Sequence, residues 1–171
     1  MYNIELYNEV IRENTDDENE YCDYEKCAAC GKDNNQITCC VVSSCELDAS
    51  DFEVTYENVM KLLDSGYVVM DKIVSPCKII TPEEVWFLRM RGEEDGDYKV
   101  WNGGSKCALL TENGCPIPFK KRAFHGRRAK CWDRSYNSRL ASCRSFLPYQ
   151  DILLQVLNDL PINEVQICSI I

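Results

Sequence analysis

Between residues 22 and 45 the chain places six cysteines among Gly, Asn, Asp and Ser, with too few aliphatic side chains to bury a core face. Ordering such a segment costs roughly 1–2 kcal/mol of backbone entropy per residue, and hydrophobic packing cannot offset that here. A bound metal can, because ligand bonds take the place of the missing apolar contacts. A second group follows downstream at Cys107, Cys115, Cys131 and Cys143, so any centre built from both blocks pins an early part of the chain to a late one.

Twelve cysteines in 171 residues fall just short of the roughly 8–10% that marks a disulfide-stapled miniprotein. A chain this long builds one domain with a core of its own and needs no staples. The first residues, Met1-Tyr2-Asn3-Ile4-Glu5, show no basic region followed by an apolar stretch, and no run approaches the length of a membrane span. The expectation is a cytoplasmic protein with reduced thiols and no membrane partner, in which clustered cysteines hold metal.

The net charge of −9 argues against a general nucleic-acid binder, and its distribution is uneven. Residues 1–60 carry fifteen acidic side chains against Arg12, Lys26 and Lys32. Residues 119–144 carry nine basic ones against Asp133. Opposite blocks of this size attract one another if the fold brings them together. Lys120, Lys121, Arg122, Arg127, Arg128 and Lys130 either offset an anionic thiolate centre or form a solvated basic loop. Phe119, Phe124, Trp132 and Tyr136 interleave with them and are read as core rather than as a stacking platform for bases.

Periodicity sketches the rest as a small single α+β domain of about four helices and a small sheet, organised around a cysteine-ligated metal site. Ile4, Tyr7 and Ile11 make an N-terminal amphipathic helix, followed by an acidic solvated linker over 14–20. Residues 22–131 form the cysteine-cluster region, and 145–171 a C-terminal helix and strand. Tyr56, Val59 and Leu63 form a helical stripe that Gly66 ends in a left-handed cap, and 67–74 read as a strand. Thr81-Pro82-Glu83-Glu84 has the form of a helix start, predicting a helix that carries Val85, Trp86, Phe87, Leu88 and Met90 and stops at Gly92. A turn is expected over 93–97, a short strand over 98–101 and a hairpin turn at Glu112-Asn113-Gly114. Tyr149, Ile152, Leu153, Val156, Leu157 and Leu160 give the clearest helical stripe, ended by Pro161, with a terminal strand over 165–171.

The ligand pattern is Cys27-Ala28-Ala29-Cys30, the doublet Cys39-Cys40, and the pair Cys107 and Cys115 across the Asn113-Gly114 turn. A C-x2-C pair lets two sulfurs converge on one ion while amides of the turn donate to them. Adjacent Cys39 and Cys40 make a strained disulfide, so one faces the site and the other a second ion or the interior. Cys22, Cys77 and Cys168 stand apart and read as buried or unligated thiols, and Cys45 and Cys143 are undecided. His125, the only histidine, excludes a His-rich zinc hydrolase and a Cys2His2 finger. Lying in the basic segment, it reads as a surface residue. No Ser-His-Asp grouping or phosphate-cradling Gly-rich loop is present. Thiolate donors select zinc or an iron-sulfur cluster over the oxygen-seeking cations.

With these residues the chain resembles the bacterial cysteine-cluster proteins described as zinc- or iron-chelating domains, a domain also carried by flagellin lysine N-methylases. The resemblance spans residues 22–131 and rests on Cys27-Ala28-Ala29-Cys30-Gly31, the Cys39-Cys40 doublet, the Cys107 and Cys115 pair, Arg122 and Cys131. It departs from the pattern in the spacer over 32–38 and in Ala123 after Arg122. It implies Cys27, Cys30, one or both of Cys39 and Cys40, Cys107, Cys115 and Cys131 as metal ligands. The first functional reading is a non-catalytic metal-binding module, structural or sensing, in which the ion staples the fold and an exposed surface meets a protein partner. A second reading is a metal-dependent enzyme, either redox or an S-adenosylmethionine-dependent protein methyltransferase.

Overall fold

The computed structural model describes residues 2–17, 45–73, 85–92, 107–111, 115–128 and 144–160. The expected elements over 22–44, 93–101, 112–114 and 161–171 lie outside these residues. Within them the chain mixes helix with a two-stranded antiparallel sheet, in keeping with an α+β architecture. Four helices are present among the described residues: α1 (Ile4–Val10), α2 (Tyr56–Asp64), α3 (Phe124–Arg128) and α4 (Gln150–Asp159).

Side-chain caps set the starts of the first two helices. Asn3 opens α1 by accepting from the amides of Glu5 and Leu6 at 3.1 and 3.3 Å, and Thr55 opens α2 by accepting from Asn58 at 3.2 Å. Gly66, at φ 78°, supplies the left-handed turn that sends the chain from α2 into β1 (Val68–Ile73). Tyr7, Val10, Val59, Leu62, Leu153 and Val156 from α1, α2 and α4 join Met70, Leu88 and Met90 of the sheet and Phe146 in one core.

Residues 85–90 are not a helix. They form β2 (Val85–Met90), antiparallel to β1 in a register that runs from Val68 opposite Met90 to Ile73 opposite Val85. All six of its residues are buried. A strand covered on both faces reads as a continuous apolar run, which periodicity cannot separate from a buried helix. The β-forming side chains Val85, Trp86 and Phe87 and the available partner strand decide in favour of β. The expected helix start at Thr81 lies outside the described residues.

Register is locked by charge as well as by pattern. Asp71 and Arg89 lie diagonally across the strands on one face, with Arg89 Nε 2.7 Å from Asp71 Oδ2 and both side chains buried. A one-residue slip would turn the two groups to opposite faces and leave each charge buried alone, at a cost of several kcal/mol, about 3–5 for a broken buried pair. The side-chain amide of Gln150 on α4 acts as a further strand partner for β2, accepting from Trp86 N and donating to Trp86 O, both at 2.9 Å.

The acidic and basic blocks do meet. Lys121 donates to the carbonyls of Asn8 and Ile11 at the C-terminal end of α1, at 2.9 and 2.7 Å, where the helix dipole favours a cation. Asn14, in the expected solvated linker, is instead docked: its amides donate to the carbonyls of Phe119 and Lys120 at 2.9 Å. Asp16 accepts from Arg127 Nε at 2.6 Å.

Candidate metal centre

The C-terminal end of β2 gathers chain segments that are far apart in sequence. On one side, Leu47 N donates to Leu88 O and Met90 N to Cys45 O, each at 2.8 Å, so the backbone at Cys45 runs alongside Met90. Just beyond, Cys107 forms an antiparallel bridge with Gly92, and Ala108 N donates to Arg91 O at 2.9 Å. Cys45 thus lies beside Met90, and Cys107 opposite Gly92 just past the end of β2. Cys107 belongs to the core, and Cys45 and Cys115 pack against it.

Cys45, Cys107 and Cys115 all carry reduced thiols. Burial pushes the Cys107 thiol up to about 11; the backbone amides of Leu109 and Leu110 and the charge of Arg89 favour its thiolate, while charge on Cys115 opposes it. Leu110 N donates to Cys107 O at 3.1 Å, closing a turn just after the cysteine. The hydroxyl of the buried Tyr7 on α1 is held well above the usual phenol range by burial first, then by charge on Cys45, Asp51, Cys115 and Cys107. This hydroxyl donates to Lys121 O at 3.2 Å.

A buried polar frame fixes α3 beside this cluster. The Asp51 carboxylate accepts from Asp48 N at 2.8 Å, from Phe124 N at 2.8 and 3.1 Å, and from Arg127 Nη1 at 3.3 Å. Burial still raises the Asp51 pKa, against the hydrogen bonds from Asp48 and Phe124 and the charge of Arg127. Arg127 spans Asp51 and Asp16, so one guanidinium ties α3 to both the acidic N-terminal segment and the 48–51 turn. His125 is not on the surface: its side chain is 1% exposed, with Nε2 3.8 Å from Asp48 Oδ2. Burial lowers its pKa to about 4, against the charge of Asp48 and with that of Arg127. The expected surface position fails because residues 124–128 form the short helix α3, on which His125 is buried. Phe119 is buried, as expected of core, and Phe124 stacks under the Arg127 guanidinium with 5.2 Å between them.

Of the expected ligands, Cys107 belongs to the core and Cys115 packs against that core. Cys27, Cys30, Cys39, Cys40 and Cys131 lie outside the described residues. Among the described residues no group of three His, Cys, Asp or Glu side chains is arranged to hold a metal ion. Cys45, undecided in the sequence, belongs to the same cluster. No spacing rule could have found it, because its neighbour Met90 is reached only through strand pairing. No family model, curated protein or solved structure matches the chain. No helix among the described residues is long and apolar enough to cross a membrane.

Proposed function

We propose that this is a cytoplasmic metal-binding protein of the cysteine-cluster type, holding zinc or an iron-sulfur cluster through thiolates contributed by both cysteine blocks. The observation that supports the reading is that Cys107 lies in the core and Cys115 packs against that core, close enough for charge on Cys115 to oppose the Cys107 thiolate. Soft sulfur donors fit zinc or iron-sulfur chemistry and not calcium or magnesium. In this reading Cys107 and Cys115 hold the late half of the chain to the centre, and Cys27, Cys30, Cys39, Cys40 and Cys131 supply the remaining thiolates. The metal then orders the aliphatic-poor segment, which makes its role structural, or sensing if the centre exchanges metal or electrons, with a protein partner reading the ordered surface.

The test is elemental analysis and native mass spectrometry of full-length protein isolated without oxygen, beside its visible spectrum. The expected result is stoichiometric zinc in a colourless protein, or iron and sulfide in a brown one, with metal lost when Cys107 and Cys115 are both replaced by Ser. A bare polypeptide mass with all twelve thiols titratable overturns the reading.

A further inference from the structure

We draw no further inference here: the strongest candidate, the side-chain cluster of Cys45, Cys107 and Cys115 against the core at the end of β2, belongs to the site already described, and among the described residues no three such donors are arranged to hold a metal ion.

Discussion

Acidification should expose the burial of His125. An unfolded histidine takes up its proton near pH 6.5, whereas the folded one waits until about pH 4. Between those values the unfolded chain binds the extra proton, so stability is intact above about pH 6.5 and is lost as the pH falls toward the folded value. A shift of about 2.5 units at 1.36 kcal/mol each corresponds to about 3 kcal/mol in total, approached at a slope of at most about 1.4 kcal/mol per pH unit. The side chain is 1% exposed, so solvent does not dilute this figure. Asp48 and Arg127 face the imidazole and act in opposite directions, leaving desolvation as the main cause. The assay is urea unfolding of the metal-free protein at about pH 7, about pH 6 and about pH 5, compared with His125→Gln, which keeps a polar side chain but cannot titrate. The variant costs stability at neutral pH, and its disadvantage should shrink by about 2 kcal/mol by about pH 5. Because this is the only histidine, a single imidazole resonance reports its titration directly. A resonance titrating near 6.5, or two stability profiles that stay parallel, refutes the reasoning.

Other perturbations test the frame and the core. Asp51→Ala strands the amides of Phe124 and Asp48 and leaves half of the Arg127 charge uncompensated; unfolding free energy should fall by about 3–5 kcal/mol, and a loss under about 1 would show that α3 is not anchored there. Leu153→Ala removes a fully buried core side chain of α4 and should cost about 2–5 kcal/mol in denaturant titration. Thr55→Ala deletes the cap on Asn58 N and should cost about 1 kcal/mol without changing the denaturant slope. Gln150→Ala uncovers the N–H and C=O of Trp86, and hydrogen exchange at the Trp86 amide should accelerate while the amides of β1 are little affected.

Local features carried much of the architecture. The apolar stripe of Ile152, Leu153, Val156 and Leu157 defines α4 wherever the rest of the chain lies, and Gly66 marks the end of α2 because only glycine takes a φ of 78° without strain. The attraction between acidic and basic blocks was also legible, although its agents were not: Asp16 and Arg127 became partners, and Asn14 was drawn out of an expected linker onto the basic segment. By contrast, Val85-Trp86-Phe87-Leu88 carries no period that distinguishes helix from strand once both faces are covered.

The amino-acid order alone determined that residues 22–45 lack the aliphatic surface to fold on their own and that two cysteine blocks are available to compensate, since both are matters of composition. It also set the helix starts at Asn3 and Thr55, where a side chain reaches its own backbone a few residues on. Tertiary structure decided that 85–90 pair as a strand, that His125 is buried, and that Cys45 packs against the core to which Cys107 belongs. Those outcomes depend on hydrogen bonds and packing between residues tens of positions apart, and no local pattern encodes which distant partner arrives.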